Sequence, residues 1–214
     1  MRTLELLLAP YRKLIVPKTH TILPKGYDVA GELIPEDHAI LAVANHVGWW
    51  DGFLLRDIHR QMAISMDHCV IMTERELRQV PIFRHMGAYG ILHDDPSALR
   101  WTMSDLARRR ADGPFWLSLF PQGTIRPAYE RPLQFQTGLR LICRMLAPVV
   151  ILPIALVQQA FVRPSAEAWI RVGKPFMPGR DPVSESEHAV TALLDQTLAH
   201  FTTYGEAAAA HWVA

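Results

Sequence analysis

The chain has 214 residues, half of them hydrophobic and a fifth charged, which is enough for one large domain with a buried core. Its formal net charge is +1 with no block of like charges, which excludes an electrostatic footprint for nucleic acid and a strong pull toward anionic lipid. Two isolated cysteines, Cys69 and Cys143, exclude a disulfide framework and a four-cysteine zinc site, suit a reducing cytosol, and are expected in the core.

The first stretch, MRTLELLLAPYRKLIVPK, spaces Leu4, Leu7, Leu8, Tyr11, Leu14 and Ile15 as one face of a helix, with Arg2, Arg12, Lys13 and Lys18 around them. Its longest uncharged piece, Leu6 to Tyr11, is far short of the roughly 20 apolar residues that cross a bilayer. Glu5 and Pro10 also interrupt the apolar region that a signal peptide needs. Residues 1–18 are therefore read as an amphipathic segment, packed on its own domain or lying in a membrane interface, with one domain over residues 19–214.

Strand-length apolar runs follow at Ala39 to Ala44, Cys69 to Met72, Phe115 to Phe120, Val149 to Val157 and Trp169 to Val172. Helical patterns lie between and after them: Gly52 to Met62, Glu74 to Arg84, Pro96 to Arg110, Thr137 to Ala147 and Glu185 to Phe201. Alternating strands and helices predict an α/β class, a single domain with a central sheet flanked by helices. Sites in such sheets gather just past the strand ends. Two polar loops stand there, NHVGWWD after the first run and PQGTIRP after the third.

In the first loop, His46 and Asp51 are five residues apart. Imidazole titrates nearest neutrality and can take a proton from an attacking hydroxyl, while a carboxylate on its other nitrogen fixes the tautomer. This spacing suits a turn at Gly48 followed by a helix start, where Asp51 can equally be a cap and His46 an ordinary loop residue. Trp49 and Trp50 either line a groove or pack the helix start against the sheet. In the second loop, Gly123 and Thr124 offer N–H groups and a hydroxyl for an oxyanion, and Arg126 offers a bidentate cation. Pro-x-Gly is also a common turn, and Arg126 can be solvated.

Taken in order, these stretches resemble the glycerolipid or lysophospholipid acyltransferases, the family that includes 1-acylglycerol-3-phosphate acyltransferases. Asn45-His46 with Asp51 matches NHxxxxD; Phe120-Pro121-Gln122-Gly123-Thr124-Ile125-Arg126 is close to FPEGTR; Pro148 to Ile154 resembles its proline-bearing strand. Phe135 to Gly138 and Val172 to Pro175 resemble its following helix opening and late strand end. The resemblance covers about residues 38 to 178. It implies a mixed, mostly parallel sheet, with His46 as general base on the acceptor hydroxyl and Asp51 orienting it. The electrophile would be the thioester carbonyl of acyl-CoA or acyl carrier protein, and no metal or cofactor is expected.

By the same resemblance, Asn45, Arg75, His93, Pro121, Gln122, Gly123, Thr124 and Arg126 would form the substrate-binding set. The partners would be the thioester donor, a lipid acceptor and the membrane surface. A cytoplasmic protein held at the inner face of the membrane by residues 1–18 is the matching expectation.

Departures from the family pattern bear on the acceptor. Gln122 stands in place of a glutamate, His93 in place of a phosphate-binding arginine, and Arg75 in place of a lysine, while Ile125 separates Thr124 from Arg126. A neutral amide and a largely neutral imidazole hold a phosphate less firmly than charged groups do. A lipid hydroxyl without a terminal phosphate, as on a glycolipid or a lyso-diester lipid, is the acceptor this pattern suits. Two other classes are a non-catalytic lipid-binding relative and a serine hydrolase, though the chain has no G-x-S-x-G elbow.

Overall fold

The computed structural model describes residues 18–23, 34–62, 64–85, 87–91, 95–161 and 167–213. The expected helix over residues 1–18 lies outside them except for Lys18, as does His93. The elements in chain order are β1 (Thr19–Ile22), β2 (Ala39–Ala44), α1 (Asp51–Gln61), β3 (His68–Thr73), α2 (Glu74–Gln79) and α3 (Ile82–His85). They continue as β4 (Ala88–Ile91), α4 (Pro96–Asp112), β5 (Trp116–Leu119), α5 (Gly138–Leu146), β6 (Val149–Gln159), β7 (Glu167–Val172) and α6 (Pro182–Tyr204), closed by a 3-10 segment, Gly205–His211.

The strands form a single seven-stranded sheet in the order β1-β7-β6-β2-β5-β3-β4. Only the β6–β7 pair is antiparallel, so β1 and β7 run against the other five strands. The central strand β2 reads AILAVA and is buried throughout, as expected of a parallel strand covered on both faces.

Alternation along β2 sorts the core into two layers. Ile40, Ala42 and Ala44 pack with Leu54, Leu55 and Ile58 of α1 on one face. Ala39, Leu41 and Val43 pack on the other with Leu106 of α4, Leu139 and Ile142 of α5, and Val190 and Leu194 of α6. The α/β single-sheet expectation thus stands, with helices on both faces.

Three local readings change. The helix expected over Glu74 to Arg84 is two short helices, because Pro81 has no N–H to donate and pushes Val80 out of the helical region, to φ −132 and ψ 74. Its start is fixed by a capping box: Thr73 accepts from the Glu76 N–H while the Glu76 carboxylate accepts from Thr73. The strands β1 and β4, four residues each, carry little periodicity of their own and exist through pairing with β7 and β3.

Candidate active site at the carboxyl ends of β2 and β5

Both polar loops leave the sheet at the same edge, since β2 and β5 are parallel neighbours in register from Ile40–Trp116 to Val43–Leu119. Asn45, the first residue after β2, is buried. Its Nδ2 donates to the Leu156 carbonyl at 2.8 Å and its Oδ1 accepts from the Leu156 N–H at 2.8 Å. The side chain thus copies a backbone ladder rung and ties the loop start to β6. Asn45 serves placement of the loop and is not in the lining of the adjacent cavity.

Asp51 is the first residue of α1 and has no solvent exposure. One carboxylate oxygen, Oδ2, accepts from His46 Nδ1 at 2.8 Å, from the Val47 N–H at 2.6 Å and from the Gly48 N–H at 2.9 Å. The other, Oδ1, accepts from Gln158 Nε2 at 3.1 Å. A buried carboxylate is costly unless it is matched in this way, and its place at a helix N-terminus adds to its stabilisation. The contact expected for an orienting carboxylate is present, whereas the cap reading is not realised: Trp50 is the N-cap with no side-chain cap hydrogen bond, and the N–H groups that Asp51 accepts from, Val47 and Gly48, precede the helix. Gly48 leaves room for this contact, since a Cβ there would stand 2.6 Å from Gln158 Nε2 and displace the amide.

The His46 ring stacks on Phe120, centroids 4.5 Å apart, and its side chain is one-fifth exposed. With Nδ1 held by Asp51, the ring is fixed as the tautomer whose Nε2 carries a lone pair. Nε2 has no partner among the described residues and is not among their buried unpaired polar atoms, so it is open to the cavity that His46 lines. This is the arrangement a general base needs.

The second loop locks against the first. Gln122 is buried, and its Oε1 accepts from the His46 N–H at 2.8 Å. The Arg126 N–H donates to the His46 carbonyl at 2.8 Å, so both polar groups of the His46 backbone are held by the 120–126 segment. Gln136 closes the turn from the far side, its N–H donating to the Pro121 carbonyl at 2.9 Å and its Nε2 to the Gln122 carbonyl at 3.2 Å. Gly123 has φ +69, and a Cβ there would meet Gln136 Nε2 at 2.5 Å, so no other residue fits without a shift.

Gln122 thereby acts on the His46 loop, where only an acceptor oxygen is needed. An amide oxygen supplies that as well as a carboxylate does. The Gly123 N–H donates to the Phe120 carbonyl at 3.0 Å and closes the turn; that of Thr124 has no partner among the described residues.

Of the expected binding set, Pro121, Gly123 and Thr124 line the cavity with His46. Arg126 does not, and its guanidinium pairs with Glu130. Arg75 is exposed on α2 outside the lining, although its neighbours Glu76 and Gln79 belong to it. Arg84 is engaged by Glu74 at 2.6 Å. Gln158 and Gln136 escaped the sequence reading, since their partners are 107 and 14 residues away. The one available signal for Gln158 is a pair of glutamines at the end of an otherwise apolar strand.

A cavity of about 380 Å³ opens beside His46. Most of its wall is apolar, from Val70, Ile71, Phe83, Leu119, Leu139 and Ile142. His68 also lines it, and its Nε2 meets Ser118 Oγ at 3.0 Å. Burial, together with neighbouring His59, Arg56 and Arg60, pushes its pKa down to about 3, so it is neutral at pH 7.

The acyltransferase family model matches residues 27–157, more than half of the chain. The chain belongs to the acyltransferase family. No curated protein matches it. The matched segment runs from before β2 to within β6 and so contains His46, Asp51 and the 120–126 loop, with Gln158 just beyond it. Acyl transfer is the general chemistry of such a protein, between an acyl donor and a lipid acceptor.

Proposed function

We propose that the protein moves a fatty acyl chain from a thioester, acyl-CoA or acyl carrier protein, onto a hydroxyl of a lipid, with His46 as the general base. The observation that carries this reading is the His46–Asp51 pair: Nδ1 is held at 2.8 Å by a carboxylate with no solvent exposure, while Nε2 is open to an apolar cavity.

The acceptor hydroxyl gives its proton to His46 Nε2 as its oxygen attacks the thioester carbonyl carbon. Asp51 offsets the positive charge that appears on the imidazole. The carbonyl electrons move to oxygen, and the Thr124 N–H, which has no partner among the described residues, is assigned as the donor to that oxyanion. Collapse of the tetrahedral intermediate breaks the carbon–sulfur bond. The leaving thiolate takes the proton from His46, giving free thiol and acylated lipid.

An acceptor without a terminal phosphate remains the reading that fits, because Arg126 and Arg84 are each matched by a carboxylate. Supply from a bilayer is supported by the cavity rim: Trp49, Ile125 and Leu141 are 57%, 52% and 51% exposed, and all three line the cavity. No described helix is long and apolar enough to cross a membrane. Peripheral attachment at the inner face, through this rim and residues 1–18, is part of the proposal.

The test is thiol release from palmitoyl-CoA with lyso-phospholipid and glycolipid acceptors, comparing wild type with His46→Ala and Asp51→Ala. Acceptor-dependent release lost in both variants is expected; equal release by all three proteins overturns the mechanism. Strong preference for lysophosphatidic acid overturns the acceptor class.

A further inference from the structure

The two oxygens of the Asp51 carboxylate are served from different parts of the chain. Oδ2 takes its three donors, from His46, Val47 and Gly48, out of the turn that Asp51 itself closes. Oδ1 takes one, Gln158 Nε2 at 3.1 Å, from the far end of β6. Asp51 has no solvent exposure, so solvent does not reach it to replace that donor.

The placing of Gln158 follows from the sheet. β6 pairs with β2 as far as Ala44–Ile154, and Asn45 then takes the next rung with its side chain, at Leu156. β6 thereby runs on past the end of β2. Alternation puts Gln158 on the same face as Leu156, which packs with Leu54 and Leu55 of α1, so its side chain meets the first residue of that helix. On the other side β7 holds its backbone, pairing Gln158 with Ala168. The amide therefore hangs from a strand and not from a loop, and it is no part of the cavity lining.

Gly48 makes the room for it. A Cβ there would stand 2.6 Å from Gln158 Nε2 and 3.1 Å from its Cδ and Oε1, so the amide lies against the glycine. The φ of Gly48 is not in the left-handed region, so the packing of the amide, and not the backbone, is what asks for glycine. The family match ends at residue 157, one short of Gln158.

We infer that Gln158 is a positioning residue for acyl transfer: by holding Oδ1 it fixes the rotation of the Asp51 carboxylate, which keeps Oδ2 on His46 Nδ1 and leaves Nε2 free as the base. This deepens the acyl-transfer reading and rests on it. The terminal torsion of an aspartate is broad, so the carboxylate can turn. Without Gln158, Oδ1 is a buried charged oxygen with no donor, which is costly. Turning relieves that cost by bringing the Val47 or Gly48 N–H onto Oδ1, and the same turn draws Oδ2 away from Nδ1. His46 then loses the contact that selects its tautomer.

The experiment uses Gln158→Ala, Gly48→Ala, the double variant, and Gln158→Met, which keeps the length of the side chain and removes the donor. The His46 tautomer is read from its ring-nitrogen resonances in protein labelled at histidine, assigned with His46→Ala, at a pH where the ring is neutral. Turnover is read as thiol release from palmitoyl-CoA with the lipid acceptor that supports most release, and folding by thermal unfolding. Wild-type His46 is expected to hold its proton on Nδ1, and both Gln158 variants to show the second tautomer beside it. Their kcat should fall about 10- to 100-fold, the worth of one hydrogen bond to a charged group, with both KM values within about 2-fold. Gly48→Ala should reproduce this, and adding it to Gln158→Ala should cost less than about 2-fold more, because the amide it displaces is already gone.

An unchanged tautomer in the Gln158 variants, a rise in KM in place of the fall in kcat, or additive losses in the double variant would each overturn the assignment. A tautomer that shifts as expected, in a protein whose wild type releases no thiol, would overturn the transferase reading and leave Gln158 as the residue that holds Asp51.

Discussion

Replacing Asp51 by asparagine separates the charge of this carboxylate from its shape. In the wild type Oδ2 serves three donors, His46 Nδ1 and the N–H groups of Val47 and Gly48, and Oδ1 serves Gln158. An asparagine oxygen in the place of Oδ2 keeps the three, and its NH2 then faces the Gln158 amide, which can turn over to present its own oxygen. The fold should lose less than about 1 kcal/mol, a shift of a few degrees in Tm for a chain of this size.

Catalysis should lose far more. A full negative charge about 4 Å from a developing imidazolium is worth about 4 kcal/mol at an effective dielectric constant near 20. At about 1.4 kcal/mol per tenfold, kcat should fall about 10³-fold. Asp51→Ala, by contrast, strands those buried donors at about 1 to 3 kcal/mol each, and should lower Tm by roughly 10 °C as well. The assay is thiol release under saturating palmitoyl-CoA and acceptor, beside thermal unfolding of each variant. An asparagine enzyme within about 10-fold of wild type would show that the charge is not used and that Asp51 only shapes the turn.

Gln122→Glu should stay within a few-fold of wild type, because either side chain accepts from the His46 N–H. Gln122→Leu should lose about 10- to 100-fold by leaving that N–H unmet, and equal activity of the leucine variant would refute the assigned role. Gly123→Ala should cost about 1 to 3 kcal/mol, read by urea unfolding, from its positive φ and its collision with Gln136.

Stability should fall as pH drops from about 6.5 toward 3: unfolded His68 takes up a proton at its ordinary pKa, folded His68 only near about 3, and His59 is lowered by burial in the same sense. His68→Asn should flatten that slope in unfolding experiments between pH 7 and 4. Cys69 and Cys143, whose burial raises their thiols to about 11, should resist iodoacetamide at pH 8 until the protein unfolds.

Much of this protein was legible in the one-dimensional pattern. The run AILAVA read as a strand from its length and apolar composition, and the alternation of such runs with helical periods sufficed for an α/β sheet. His46 and Asp51 could be paired because the contact is local: a turn of five residues brings them together wherever the rest of the chain goes.

The tertiary structure decided what each neighbour does. Asn45, Gln122 and Arg126 stood in the sequence as substrate contacts, yet in the fold they bind Leu156 and the His46 backbone, because β2 lies between β6 and β5 and both loops leave the same edge. Gln158 reaches Asp51 only through the pairing of β6 with β2. Local contacts follow from the chain's own geometry, whereas contacts across the sheet depend on strand order, which the packing of the whole core selects.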